Sequence, residues 1–196
     1  MSESLRVRKR QRTRERIATA AAQLVSANGL SATTVEQIAA EADVARATFF
    51  RYFESKEYAV AEGFTSTWIA AITDALRRQP AELAVNEALH AAFAELTPGF
   101  GVVENNIAEI ERQTRESLTL RAWTLLCYLN FETAIAEAIA PRLADLTVDD
   151  PRPRLIGAVT MASVRISIDD WLRDGGSLSD RISRAVNSMA PCPIKE

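Results

Sequence analysis

The sequence predicts an all-α protein of about nine helices, a small three-helix N-terminal domain followed by a larger helical one, and three observations carry that expectation. Apolar residues recur three and four positions apart over runs long enough to be helices. Turn-forming and helix-breaking residues punctuate those runs, at Asn28-Gly29, Pro80, Pro98-Gly99, Pro141, residues 149–153 and Gly175-Gly176. No segment alternates apolar and polar residues between turns, and no repeat of fixed period runs through the chain.

Taken in order, Ile17, Ala20, Ala21, Leu24 and Val25 mark one face of a first helix over about residues 8–28, which Gly29 closes. The hydroxyls of residues 31–34 suit a helix start, and Val35, Ile38, Ala39 and Ala42 then share one side of a short second helix. After Asp43 and Val44, residues 45–53 form a third, with aromatics at Phe49, Phe50, Tyr52 and Phe53. Two short helices about three residues apart have the size of a helix-turn-helix. Ser55 caps a longer helix from Lys56 to about Gln79, where Pro80 stops it. Further helices are expected over residues 81–96, 102–116, 118–143, 154–173 and 177–189. The domain boundary is placed between residues 55 and 56.

Composition narrows the function classes. Of 196 residues, 47% are hydrophobic and 25% charged, a globular balance. No apolar run approaches the roughly 20 residues that span a bilayer, and no apolar stretch follows the basic N-terminus, so a cytoplasmic protein without a membrane partner is expected. Two distant cysteines, Cys127 and Cys192, and a single histidine, His90, offer neither metal-ligand spacing nor a disulfide framework. There is no nucleophile elbow and no phosphate-cradling glycine loop, so neither an enzyme nor a cofactor is expected.

Charge is unevenly placed. The net charge of −3 hides a surplus of three positive charges in residues 1–60 and of six negative charges in the remainder. Seven of the first sixteen residues are basic, Arg8, Arg10 and Arg12 among them, opposed only by Glu3 and Glu15. A basic arm on an acidic body is the asymmetry expected where one end meets phosphate.

Thr33-Thr34, the Ile38-Ala39 pair, Val44 in the turn, the block Phe50-Arg51-Tyr52-Phe53 and Ser55-Lys56-Glu57 together resemble the DNA-binding signature of the tetracycline-repressor (TetR) family. The resemblance covers roughly residues 10–60. It departs from the family pattern at Asp43, where glycine is common, and at Ala45, where serine usually caps the recognition helix. What it implies is a homodimer that binds palindromic double-stranded DNA through its helix-turn-helix and answers to a small-molecule effector.

Residue by residue, Val35, Ile38, Ala39, Val44, Phe49 and Phe53 have the spacing of a small core, leaving Ala45, Arg46, Ala47, Thr48, Phe50, Arg51 and Tyr52 for DNA. Recognition helices meet base edges with their N-terminal residues. Arg46 is therefore expected to face guanine acceptors or a phosphate, and Thr48 a thymine methyl. Thr34, Tyr52 and Lys56 are expected to hold phosphates, aided by helix N-termini, with Thr33 also on the DNA-binding face and the arginine arm adding backbone or minor-groove contacts as it folds on DNA.

For the effector, Trp68, Ile72, Phe93, Ile107, Ile110, Trp123, Leu126, Cys127 and Phe131 form an apolar and aromatic set, which is either an ordinary core or the lining of the pocket that the resemblance implies. His90, Arg121 and Asn130 are the polar candidates within it, His90 being equally readable as a core or surface histidine. Leu155, Val159, Ile166, Trp171, Ile182, Val186 and Met189 give the last two helices more apolar surface than an internal edge needs, and in relatives such helices pair with their symmetry mates. The helix that starts at Lys56 and passes Trp68 and Ile72 is the expected lever between effector and DNA. The expected function is that of a repressor released from its operator by an apolar or amphipathic effector. An architectural or adaptor protein that binds DNA without a ligand response is the alternative.

Overall fold

The structure, a computed structural model, describes residues 2–116 and 118–188, and no strand occurs among them. Eight α-helices and one 3-10 turn follow in order: α1 (Ser2–Asn28), α2 (Val35–Glu41), α3 (Arg46–Phe50), α4 (Lys56–Arg78), α5 (Val85–Glu116), α6 (Leu118–Ile139), the turn Ala140–Arg142, α7 (Arg152–Asp174) and α8 (Leu178–Asn187). None of the described helices is long and apolar enough to cross a membrane.

The chain packs as two compact units, one of Met1–Thr67 with Asn105–Leu125, the other of Trp68–Glu104 with Leu126–Glu196. In the first, Ile17, Ala21 and Val25 of α1, Ile38 and Ala39 of α2, Phe49 of α3, and Phe53, Ala59 and Val60 form one buried cluster, and Ile110 of α5 packs on its edge. The rings of Phe49 and Phe53 lie 5.9 Å apart at its centre. α4 crosses α1 at Gly63, where a Cβ would stand 2.0 Å from the Ala18 carbonyl oxygen, so only glycine allows the two backbones this close. Beside that crossing the Arg14 guanidinium donates through Nε (2.7 Å) and Nη2 (2.5 Å) to the Glu62 carboxylate. It also donates to the Tyr52 carbonyl at 3.0 Å and lies 4.5 Å from the Phe53 ring centroid.

In the second unit Ile72, Leu76, Leu89, Ile135, Ile139, Leu178 and Ile182 are buried. α7 meets α6 at Gly157, whose Cβ would stand 2.3 Å from the Glu132 carbonyl oxygen. The end of α4 is closed by Arg142, whose guanidinium donates to the carbonyls of Leu76 (2.8 Å), Gln79 (2.6 Å) and Pro80 (2.6 Å). α7 ends at Gly175 with φ 71, and the Ser177 hydroxyl accepts from the Asp180 N–H to start α8.

Two elements differ from the sequence expectation. The first helix begins at Ser2 rather than near Arg8, so the basic arm is already helical in the chain without DNA. Residues 81–96 and 102–116, read as separate helices, form the single α5 from Val85. Pro98 removes one backbone hydrogen bond and costs on the order of 3 kcal/mol inside a helix. Packing of Leu89, Ala92 and Phe93 on one side and Ile110 on the other offsets that loss, as tertiary contacts commonly outweigh local propensity.

Candidate nucleic-acid interface

α2 starts with a reciprocal cap, in which the Thr34 hydroxyl accepts from the Gln37 N–H (3.2 Å) and the Gln37 side-chain oxygen accepts from the Thr34 N–H (2.8 Å). Its end is turned by Asp43 at φ 49, a left-handed conformation that aspartate enters more readily than most residues. The Arg16 guanidinium fixes that turn, donating to the carbonyls of Ala42 (2.5 Å) and Asp43 (3.1 Å). These contacts locate α3, which begins at Arg46 behind Ala45, a residue with no side-chain cap. Both departures from the family pattern thus fall within an intact turn: Asp43 takes the position that needs positive φ and does not cap.

The local fold decides which expected DNA residues reach the surface. Thr34, Ala45, Arg46, Ala47, Phe50 and Arg51 are exposed, Thr48 and Tyr52 are half-buried, and Arg8, Arg10 and Arg12 are exposed along α1. Thr33 lies elsewhere. It is fully buried and its hydroxyl donates to the Gly29 carbonyl at 2.9 Å, because the tight connection from α1 to α2 turns it inward. Lys56 also has an internal task, its ammonium donating to the carbonyls of Leu30 (2.7 Å) and Thr33 (2.8 Å), which leaves one of its three N–H groups for a phosphate.

One surface residue of this face was missed by sequence reading. Glu36, in the first turn of α2, accepts from Arg46 Nε at 2.7 Å, and the Arg46 guanidinium lies 4.9 Å from the Phe50 ring centroid. The Glu36 carboxyl is held below the usual carboxylate range, chiefly by a hydrogen bond from its own backbone N–H and then by Arg46. Its signal was weak: an acidic residue at a helix start is ordinary, and the ten-residue separation from Arg46 is not a helical spacing.

The other predicted site residues are distributed between the two units. In the first, Ile110 packs on the DNA-binding core, Arg121 is exposed, and the Trp123 side chain lies outside the described residues. In the second, Ile72, Phe93 and Cys127 are buried, while Trp68 and Phe131 are half-buried. His90 is half-buried, and its Nδ1 is the buried side-chain polar atom left without a hydrogen-bond partner among the described residues. Asn130 and Leu126 are exposed, because the buried face of α6 runs through Cys127, Ile135, Ala136 and Ile139.

Along α7, Leu155, Val159 and Ile166 are 59%, 51% and 50% exposed. Ile182 and Val186 are instead buried within their own chain, since α8 is short and turns its one apolar face onto α7. Trp171 donates from its indole N–H to the Gly176 carbonyl at 3.1 Å, tying down the α7–α8 connection, and Met189 lies outside the described residues.

Residues 17–62 match the family described as bacterial regulatory proteins, tetR family, and residues 114–192 match the MftR C-terminal domain. The chain is 31% identical to the mycofactocin biosynthesis transcriptional regulator MftR of Mycobacterium tuberculosis, over 91% of this chain and 89% of that protein. It is 33% identical to the HTH-type transcriptional regulator TcmR of Streptomyces glaucescens, over 95% of this chain and 87% of that one. Among solved structures, the fold is similar to that of Thermus thermophilus FadR, a TetR-family repressor in complex with lauroyl-CoA. That match has a TM-score of 0.65 and 24% identity, and it covers 92% of this chain and 98% of the other.

Proposed function

The chain belongs to the TetR family of bacterial transcriptional regulators, and we propose that it acts as a homodimeric repressor that leaves a palindromic operator when a small apolar or amphipathic effector binds. Residues 1–55 are assigned to DNA and residues 56–196 to effector binding and dimerisation. The observation that carries the reading is the exposed face of Thr34, Arg46, Ala47, Phe50 and Arg51 on a closely packed three-helix head, with Arg8, Arg10 and Arg12 exposed on α1. Arg46 and Thr48 are the proposed base readers, with Thr34, Tyr52, the free N–H of Lys56 and the arm on the phosphates.

The dimer contact is assigned to Leu155, Val159 and Ile166, which recur four and seven residues apart on the outward side of α7. The effector is assigned to the second unit, among Trp68, Ile72, Phe93, Cys127 and Phe131. The unpartnered His90 Nδ1 favours an effector that carries at least one hydrogen-bonding group. α4 runs unbroken from Lys56 to Arg78 and supports the role of lever. For release to follow, the effector must bind the conformation that does not fit DNA more tightly than the one that does.

Selection of bound sequences from a random DNA pool tests the reading. An inverted repeat with half-site centres about 34 to 36 Å apart, or a multiple of that, is expected. Failure to enrich any sequence overturns it. A thermal-shift screen against small apolar metabolites tests the effector arm, since a ligand of the folded state raises the melting temperature.

A further inference from the structure

The face assigned to DNA carries a carboxylate, which electrostatics alone disfavours opposite a polyanion. Glu36 suits the start of α2, but Glu36 and Arg46 are both 63% exposed in their side chains, and an ion pair so exposed contributes little to stability, so the pairing itself is not explained by folding. The geometry of the contact is more informative. Glu36 takes Arg46 by Nε, and no hydrogen bond from either terminal nitrogen of Arg46 is found among the described residues. Phe50, itself exposed, lies beneath the same guanidinium, its ring centroid 4.9 Å from Cζ. An arginine held at Nε and over a ring keeps both terminal amines unused as a fork, the arrangement that matches the O6 and N7 acceptors of a guanine.

We propose that Glu36 is a positioning residue for sequence readout: it aims the terminal amines of Arg46 at a base pair and cancels the attraction of that arginine for phosphate. Both effects act on discrimination rather than on gross affinity. The neutralised arginine gains little from random DNA, while the ordered fork loses less freedom when it meets the right base. The proposal rests on the reading of Arg46 as a base reader.

The test is selection from a random DNA pool, with affinities for the selected site and for random duplex, using wild type, Glu36→Ala, Glu36→Gln, Arg46→Ala and the Glu36→Ala/Arg46→Ala pair. Glu36→Ala is expected to lose roughly five- to tenfold of the preference at one base pair per half-site, part of what a two-point arginine contact supplies, while binding random DNA more tightly. Glu36→Gln still offers an oxygen to Nε, so it keeps the preference but gains affinity for random DNA. In the Arg46→Ala background the Glu36→Ala change does nothing further at that base pair. Unchanged preference in Glu36→Ala, or an equal further loss without Arg46, overturns the positioning role. A wild-type protein that enriches no sequence overturns instead the assignment of this face to DNA.

Discussion

Two helix crossings in this chain are built alike and finished differently. At Gly63 and at Gly157 a glycine brings one backbone against a carbonyl of another helix, Ala18 in the first unit and Glu132 in the second. Away from its crossing, α1 presents Arg8, Lys9, Arg12, Glu15 and Thr19, a solvated face. Away from its own, α7 presents Leu155, Val159 and Ile166, while Gly157, Thr160, Met161, Val164 and Ile168 are buried on the inner side. A surface helix in a monomer needs one apolar stripe; α7 has two. The head therefore satisfies its own chain, whereas α7 keeps an apolar surface that the proposed dimer would cover.

Substitutions in the two units sharpen the contrast. Ile182→Ala removes a side chain buried within the chain and is expected to lower stability by about 3 kcal/mol, read from chemical denaturation. A small change would mean that α8 contributes less core than its burial implies. Gly63→Ala should cost about 2 to 3 kcal/mol even though alanine is the better helix former by about 1 kcal/mol, because the backbone of α1 must retreat. A gain in stability would show that the crossing is looser than drawn.

Leu155→Glu combined with Val159→Glu should change protomer stability by no more than about 0.5 kcal/mol per site, yet halve the sedimenting mass at micromolar concentration. An intact dimer would break the comparison between the two crossings. The smallest effect concerns acid. A carboxyl with a lowered pKa adds stability that is present above its ordinary value near 4.5 and is lost as pH falls through the lowered one. Carbon-detected NMR titration should find Glu36 low in wild type and still somewhat low in Arg46→Ala, since its own backbone N–H is the larger cause.

The head was legible because its signals are local. Gly29 and Asp43 stand where the backbone takes positive φ, and Ile38, Phe49 and Phe53 follow a spacing that brings them into one buried cluster with α1. What escaped is tertiary. Pro98 reads as a stop, and nothing nearby says that packing on both flanks carries the helix through it. Lys56 and Thr33 belong to a family pattern read as DNA contact, yet their donors go to carbonyls of the connection between α1 and α2. Ile182 and Ile166 look alike in sequence, and only the single apolar face of α8 separates an inward from an outward residue. Arg121 and Asn130 are likewise exposed on α6, a helix with apolar residues on all sides, so its sequence alone does not mark the buried face.

Arg142 bears on the order in which the chain reaches its final form. The carbonyls that end α4 find their donor 62 to 66 residues further along, whereas the contacts that set the helix-turn-helix are closed mostly within residues 17–60. Closing a long loop is slower than closing a short one, and during synthesis the N-terminal part emerges first. The head can thus assemble while the ribosome is still producing α5, and the far end of α4 is sealed only after residue 142 has left the exit tunnel.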